Sequence, residues 1–175
     1  MLAQIGVIPV RIASPDIDET PLKSERSDAY ALRMATEKAR AVSLSAGEVA
    51  LAGDTVVAAG RRILPRAVDD DDVVGCLRIL SGRRHHVLTA IAVVNDGVLR
   101  TKLSRSIVVF APISPAQLAS YVAHGEGVGK AGGYAIQGRA AAFVRRIDGS
   151  YSGIVGLPLF ETVALLRGAG VVGDA

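Results

Sequence analysis

One carboxylate in this sequence lies where its surroundings demand a partner. Asp54 follows Gly53 in the apolar segment VALAGDTVVAAG. A charged carboxylate among apolar residues costs several kcal/mol unless it is paired, ligated or open to a cleft. Its position alone supports two interpretations equally: a functional carboxylate, or an aspartate that caps a strand end through its own backbone. Thr55, the next residue, is a common strand residue and adds no information by itself.

A lysine and a second carboxylate are further candidates. Lys38 lies in the segment MATEKARA, near the side of a predicted helix that carries Met34 and Ala35. This spacing allows its stem to be buried and its ammonium group to point at a site, although a solvated helix lysine is the more ordinary interpretation. Glu19 belongs to the polar segment PDIDET, where an exposed carboxylate is the simplest interpretation.

The segment KAGGYAIQG places a polar amide after an apolar run. Gln137 follows Tyr134, Ala135 and Ile136, a pattern that predicts a buried side chain. A buried amide whose donors and acceptors stay unpaired costs about 1–3 kcal/mol. Either the fold or a ligand must therefore supply its partners.

Other kinds of site are not indicated. His85, His86 and His124 lack the paired spacing of a zinc site. The sequence contains no Cys/His pair, no G-x-S-x-G segment and no glycine-rich Walker or Rossmann loop. Cys76 has apolar neighbours, which predicts a buried thiol rather than a reactive one.

The composition indicates a single domain over residues 1–175. Half of the residues are hydrophobic, but no run of about 18 apolar residues marks a membrane span. The single cysteine fits a reducing interior and the N-terminus lacks a signal-peptide pattern, so we expect a cytoplasmic protein without a membrane partner. The net charge of +3 comes with three Phe, four Tyr and no Trp. We expect no nucleic-acid partner, because such surfaces combine a basic stripe with stacking aromatics or a known motif.

Helix and strand patterns alternate along the chain. Helices are predicted from Ser27 into the forties, from the acidic run 69–72 to 81–82, and over 114–125 and 159–167. The acidic run is expected to cap its helix rather than bind a metal, and Ser114 and Gly125 are expected to begin and end the third helix. Strands are predicted at 49–57, at 86–94, from 98 onward to 110, at 141–147 and at 150–155. With a tight turn at 95–97, this order predicts an α/β domain with a mixed β-sheet and flanking helices.

Four segments together resemble, in order and spacing, the motifs of the Maf family of nucleoside triphosphate pyrophosphatases. They are AGDTVV, LSGRRHHVLTAIAV, AGGYAIQG and DGSYSGIVGLPLFET, and the resemblance extends from Met1 nearly to the C-terminus. It implies one Maf-like domain, similar to inosine triphosphate pyrophosphatases, with two lobes around a mixed sheet and an active site in the cleft.

The resemblance also implies a reaction, the hydrolysis of a nucleoside triphosphate to the monophosphate and pyrophosphate with Mg²⁺ or Mn²⁺. Asp54 matches the family's water-activating base and Glu19 its acidic partner, so these two carboxylates are the expected metal ligands. Lys38 matches the lysine of the family's E-K-A helix, and Gln137 matches the glutamine that reads the nucleotide. Thr55 resembles members that act on dTTP and UTP. The expected substrates extend to modified pyrimidine nucleotides, and family members are often homodimers.

Two departures from the family pattern concern phosphate binding. Family members begin with a short strand and an S-x-S-P-R-R segment, and MLAQIG matches the residues after it, so we expect that strand and loop to be missing. In GRRILPRAVDD, Arg66 stands at the family's lysine and Pro65 at its glycine; Arg66 keeps the charge on a planar head. Three explanations stay open: a misassigned start codon, a weakened hydrolase, and an inactive relative that binds nucleotides or a protein partner.

Overall fold

The computed structural model describes residues 1–173, which form a five-stranded sheet with helices on both faces. The strands are β1 (Ala50–Ala59), β2 (Arg62–Leu64), β3 (Arg84–Asn95), β4 (Val98–Phe110) and β5 (Val144–Asp148). The helices are α1 (Ser27–Arg40), α2 (Asp70–Leu80), α3 (Pro115–Ala123), α4 (Tyr151–Val155) and α5 (Leu159–Gly168), with 3-10 helices at Leu2–Ile5 and Arg139–Phe143. In this part of the chain, every helix is too short or too polar to cross a membrane.

The sheet has the order β2-β1-β3-β4-β5. The predicted α/β architecture with flanking helices is confirmed, but all strand pairs among residues 1–173 are antiparallel, whereas the sequence pattern predicts a mixed sheet. The hairpin to β2 reverses the chain before α2 leads into β3, so β3 arrives antiparallel to β1. The turn between β3 and β4 has φ of 47° at Asp96 and 75° at Gly97, as a two-residue hairpin requires.

Alternation along β1 divides the core between the two faces of the sheet. On one face, Val56 of β1 packs in a buried cluster with Ala35 of α1. On the other face, Val57 belongs to a cluster with α2 and α3, and Ile91 of β3 belongs to a separate cluster with α5. The core on this second face therefore has two parts.

Helix ends follow the predicted capping residues. Asp69 accepts a hydrogen bond from the backbone N–H of Asp72 at 2.9 Å, so the acidic run caps α2 as predicted. Ser114 forms a capping box at the start of α3, and Gly125 beyond its end has a φ of 76°. Cys76 is buried in α2, and burial raises the pKa of its thiol, as expected for an unreactive cysteine.

The strand predicted at 150–155 is wrong, because this segment forms the short helix α4. Ser150 caps the helix by accepting a hydrogen bond from the backbone N–H of Gly153 at 3.0 Å. Gly156 ends it with a φ of 124°. These local signals outweigh a short apolar run. Similarly, the strand predicted at 141–147 begins only at Val144, after a 3-10 helix.

Candidate active site

A lysine joins two carboxylates at the middle of β1. Nζ of Lys38 lies 2.6 Å from Oδ1 of Asp54 and 2.7 Å from Oε1 of Glu19. The side chains of Lys38 and Asp54 are 20% and 14% exposed, whereas that of Glu19 is 49% exposed. The structure therefore brings three of the predicted site residues into one cluster with a protected aspartate and a solvent-facing glutamate.

Two periodicities place Lys38 against Asp54. In β1, Asp54 lies on the face that packs against α1, because Val56, two residues on, is buried in that interface. In α1, Lys38 lies one turn beyond Met34 and three residues beyond Ala35, both of which are fully buried. The stem of the lysine is thus packed between helix and sheet, as one of the two sequence interpretations requires.

Side chains of α1 also hold the irregular segment that carries Glu19. The Tyr30 hydroxyl donates a hydrogen bond to the carbonyl oxygen of Glu19 at 2.7 Å. Arg33 donates to the carbonyl oxygen of Thr20 at 3.0 Å and to both carboxylate oxygens of Glu25. These contacts give a half-exposed carboxylate a defined position beside the lysine.

The charges of the cluster are coupled. Burial raises the pKa of the Asp54 carboxyl, the hydrogen bond with Lys38 opposes this rise, and the charge of Glu19 adds to it. Burial lowers the pKa of the Lys38 ammonium, but its hydrogen bonds with Asp54 and Glu19 outweigh burial, so the net pKa is raised. A charged lysine beside a carboxylate of raised basicity is an arrangement suited to general base catalysis.

A cavity of about 640 Å³ opens beside the cluster, within the size range of small-molecule sites. Glu19, Lys38 and Asp54 line it together with two further cations, Arg66 and Lys130. The charge of Arg66 extends to Asp54 and opposes the rise of its pKa. Three cations and two carboxylates that line one cavity suit a polyanionic ligand and a reaction that needs a base.

Arg66 and Lys130 are neighbours because two loops pair through their backbones. The N–H of Ala67 donates to the carbonyl oxygen of Lys130 at 3.1 Å, and the N–H of Gly132 donates to that of Pro65 at 3.0 Å. Gly132 has a φ of 66°, and a Cβ there would lie 2.8 Å from a side chain of β1, so the loop approaches the sheet only with glycine at this position. Pro65 is accommodated, since the pairing uses only its carbonyl group.

Thr55 lines the same cavity from the opposite face of β1. Its hydroxyl oxygen lies 2.9 Å from that of Thr89, the residue directly opposite on β3. The Thr89 hydroxyl donates to the carbonyl oxygen of Gly153 in α4 at 2.6 Å. A Cβ on Gly156 would lie 3.6 Å from Oγ1 of Thr55, so the absence of a side chain there leaves room beside the Thr55 hydroxyl.

Gln137 also lines the cavity, but the expectation that its amide is buried is wrong. Its side chain is exposed, while the apolar run that ends at Ile136 is buried. Two residues further on, the N–H of Arg139 donates a hydrogen bond to the carboxylate of Glu126 at 2.7 Å. The Gln137 amide is therefore not a buried group that lacks a partner, and its role in reading a nucleotide stays a prediction.

Asp54 and Glu19 are the carboxylates that could bind a metal ion in this cavity. Residues 1–173 contain no group of three or more His, Cys, Asp or Glu side chains placed to bind a metal. Lys38 engages one oxygen each of Asp54 and Glu19, so each carboxylate keeps a second oxygen for another ligand. Mg²⁺ commonly binds through one or two carboxylates together with substrate phosphates. The donor set therefore fits a divalent metal whose coordination a phosphorylated ligand completes.

Tyr30 and Lys130 are among the cavity residues that sequence reasoning did not identify as site residues. Tyr30, Met34 and Lys38 recur at four-residue spacing, which places them on one side of α1 and could have identified the tyrosine. Lys130 begins the segment KAGGYAIQG, but a loop lysine gives no local sign of a role. Only its pairing with the loop of Arg66 brings it to the cavity.

Comparison with known proteins shows similarity along nearly the whole chain. The family described as "Maf-like protein" matches residues 1–169. The dTTP/UTP pyrophosphatase of Sphingopyxis alaskensis is 56% identical over 172 residues, which cover 98% of this chain and 90% of that protein. Proteins of the same name from Novosphingobium aromaticivorans and Caulobacter vibrioides are each 52% identical, over 98% and 97% of this chain and 86% and 89% of their own lengths.

Proposed function

The chain belongs to the Maf-like protein family, and on this premise we propose that it hydrolyses dTTP and UTP to the nucleoside monophosphate and pyrophosphate. The observation that carries the proposal is the carboxylate pair bridged by Lys38 in a cavity that also presents Arg66 and Lys130. A positioned base and clustered cations are what cleavage of a phosphoanhydride needs. The names of relatives at 52–56% identity support the choice of substrates.

Asp54 is the general base in this proposal. Its carboxylate takes a proton from a water molecule while the water oxygen bonds to the α-phosphorus. The bond from that phosphorus to the oxygen bridging the β-phosphate breaks, and pyrophosphate leaves with the electron pair. Burial raises the pKa of Asp54 and so strengthens it as a base. Lys38 engages Oδ1 at 2.6 Å, so Oδ2, with its two lone pairs, stays open both to a water proton and to a metal ion.

The three cations of the cavity stabilise the negative charge of the triphosphate. Charge grows on the leaving pyrophosphate as the bond breaks, and fixed cations stabilise that transition state. Arg66 keeps the positive charge at the family's lysine position and can engage two phosphate oxygens with its planar head. A divalent metal held by Asp54 and Glu19, Mg²⁺ or Mn²⁺, would neutralise phosphate charge and orient the attacking water.

Thr55 and Gln137 recognise the base. Both line the cavity, and a site that hydrogen-bonds its substrate rejects analogues that lack the matching groups. Modified pyrimidine triphosphates that keep the same hydrogen-bonding edge belong to the same substrate class. Because the cellular nucleotide pool is cytoplasmic, we assign the activity to the cytoplasm.

Hydrolysis in H₂¹⁸O tests the proposal. The 175-residue chain is incubated with UTP, dTTP, CTP or GTP in the presence of Mg²⁺ or Mn²⁺, and the products are separated and weighed by mass spectrometry. We expect labelled UMP and dTMP, unlabelled pyrophosphate, and much slower release from CTP and GTP. Label in pyrophosphate would show attack on the β-phosphorus and contradict the proposed step.

The alternative hypothesis is that the protein is a weakened or inactive member of the family that binds nucleotides. Titration calorimetry with UTP under the same conditions separates the two. Tight binding without any product would overturn the catalytic proposal and identify a nucleotide-binding protein. Turnover that depends on the divalent metal would establish the enzyme.

A further inference from the structure

We propose that Thr89 is a positioning residue that fixes the proton of the Thr55 hydroxyl, so that the cavity selects bases with a ring N–H donor. The inference rests on the proposed function and adds to it the means by which uracil and thymine are separated from cytosine. Thr89 is only 1% exposed. It therefore acts on a nucleotide through Thr55 rather than by contact.

The direction of the hydrogen bonds follows from simple counting. A hydroxyl group has one proton to donate and two lone pairs to accept with. Oγ1 of Thr89 lies 2.6 Å from the carbonyl oxygen of Gly153, and because a carbonyl only accepts, the Thr89 proton lies in that bond. Oγ1 of Thr55 lies 2.9 Å from the same Thr89 oxygen. Since the Thr89 proton is already used, Thr55 must donate.

The far end of this hydrogen-bond chain is held in place. The carbonyl oxygen of Gly153 also accepts from the backbone N–H of Gly156 at 3.0 Å, so both of its lone pairs are engaged. A Cβ on Gly153 would lie 3.0 Å from Oγ of Ser104, which shows how closely α4 packs on β4. Thr55 and Thr89 are directly opposite each other in the pairing of β1 with β3. The hydrogen bonds are therefore constrained to one direction, from the Thr55 hydroxyl to Thr89 and from Thr89 to the carbonyl oxygen of Gly153.

Thr55 consequently offers the cavity only lone pairs. It can accept a hydrogen bond from a ligand, but its own proton is not available to donate. On the base-pairing edge of uracil and thymine, the two carbonyl oxygens accept and N3–H donates, whereas N3 of cytosine accepts. Among the groups on the edge of uracil or thymine, only N3–H can pair with Thr55. Cytosine bound in the same pose would oppose its N3 lone pair to those of the hydroxyl, because its donor on this edge, the N4 amino group, lies where uracil carries O4. This unpaired contact lowers its affinity.

Two analogues of UTP test the contact on the unaltered protein. N3-methyl-UTP lacks the N3 proton, whereas 4-thio-UTP keeps it and changes only O4. We expect kcat/KM for N3-methyl-UTP to fall by at least about tenfold relative to UTP, and that for 4-thio-UTP to stay within about threefold. Equal use of UTP and N3-methyl-UTP would overturn the inference.

A matched pair of variants tests the role of Thr89. In Thr89→Val the Thr55 hydroxyl is free to rotate and donate to N3 of cytosine, so the ratio of kcat/KM for UTP over CTP should fall about tenfold. Thr89→Ser keeps the hydroxyl and should keep the ratio. If Thr89 had a purely structural role, Thr89→Val would lower kcat/KM for UTP and for CTP by the same factor. An unchanged ratio in that variant would therefore contradict the positioning role.

Failure of the inference can be told apart from failure of the proposed function. If the unaltered chain releases no pyrophosphate from UTP, the proposed function fails. In that case the contact with Thr55 can still be tested, by measuring the affinities of UMP, CMP and N3-methyl-UMP with calorimetry. Tighter binding of UMP than of the other two supports the inference, and equal affinities overturn it.

Discussion

The two faces of β1 hold their site residues by different physical means. On the α1 face, Asp54 is held by an opposite charge, with Nζ of Lys38 at 2.6 Å. On the other face, Thr55 is held by a chain of uncharged hydrogen bonds through Thr89. A charge cluster responds to pH and to every neighbouring charge, whereas the direction of a hydroxyl chain does not. Because adjacent strand residues point to opposite faces, the proposed function assigns reaction chemistry and base recognition to the two residues of one dipeptide.

The largest effect is expected from removing the base on the α1 face. Asp54→Asn keeps the shape of the side chain but cannot take the proton, so kcat should fall by about 10²–10⁴-fold. The melting temperature should not fall, because burial disfavours the charged carboxylate that the variant removes. Pyrophosphate release and thermal unfolding measure the two quantities.

A control for this variant is Asp96→Asn in the exposed β3–β4 turn, where asparagine tolerates the positive φ. It should retain the kcat of the unaltered chain. Turnover by Asp54→Asn at a rate close to that of this control would remove Asp54 from the mechanism.

Removing Lys38 on the same face should lower kcat/KM by a factor that depends on pH. The hydrogen bond from Lys38 lowers the pKa of Asp54, so Lys38→Met should raise it further. A base acts only when unprotonated, and the acidic limb of the kcat/KM profile should therefore move to higher pH, with a rate loss of about 10–100-fold. Lys102→Met, an exposed lysine of β4, should keep the original profile. Movement of the limb to lower pH would contradict the coupling.

A side chain added beside Thr55, on the opposite face, should change KM more than kcat. A Cβ on Gly156 would lie 3.6 Å from Oγ1 of Thr55 on a backbone with a φ of 124°. Gly156→Ala should raise KM for UTP by about five- to tenfold with a smaller change in kcat, and should destabilise the fold by about 1–3 kcal/mol through its positive φ. Gly75→Ala in α2, which has nothing within 4 Å of a Cβ, should leave KM unchanged. If Gly156→Ala lowered kcat at constant KM, this would contradict a role of the Thr55 face in substrate recognition.

The smallest effect on activity is expected from the buried pair beneath the recognition face. Nε2 of His85 lies 2.8 Å from the Tyr134 hydroxyl, and burial lowers the pKa of His85 from 6.5 to about 4. Between these values the unfolded chain binds more protons than the folded one, so this histidine should add about 3 kcal/mol to the unfolding free energy as the pH rises through the interval.

Urea unfolding at several pH values measures this contribution. His85→Gln should flatten the pH dependence, and His86→Gln, at the exposed neighbouring position, should preserve it. Identical slopes in the two variants would show that the pH dependence arises elsewhere in the protein.

Much of the fold follows from local patterns. Runs of apolar and β-branched residues predict β1 and β3 to within a few residues, and capping residues predict the starts of α2 and α3. The segment 150–155 misleads because a short apolar run fits either a strand or a helix turn, and the cap by Ser150 decides between them. The antiparallel sheet depends on the place of β2 at its edge, which no local pattern encodes.

The candidate site was harder to predict because its contacts are long-range. Asp54 is conspicuous in an apolar strand, but only the fold shows that Lys38 is its partner. Gln137 was expected to be buried, since an apolar run gives no sign of where the chain turns outward. The pairing of Thr55 with Thr89 depends on strand register, which is set by the whole sheet.

The most direct test of the division between the two faces is the ratio of kcat/KM for UTP over CTP in single-turnover assays. The unaltered chain, Asp54→Asn and Thr55→Val are compared with enzyme in excess. We expect Asp54→Asn to slow both substrates by the same factor and keep the ratio. Thr55→Val should lower the ratio at least about fivefold, because kcat/KM for UTP falls when its N3–H loses the Thr55 hydroxyl, while the rate of the bound complex is largely kept. A changed ratio in Asp54→Asn, or an unchanged ratio in Thr55→Val, would contradict the account.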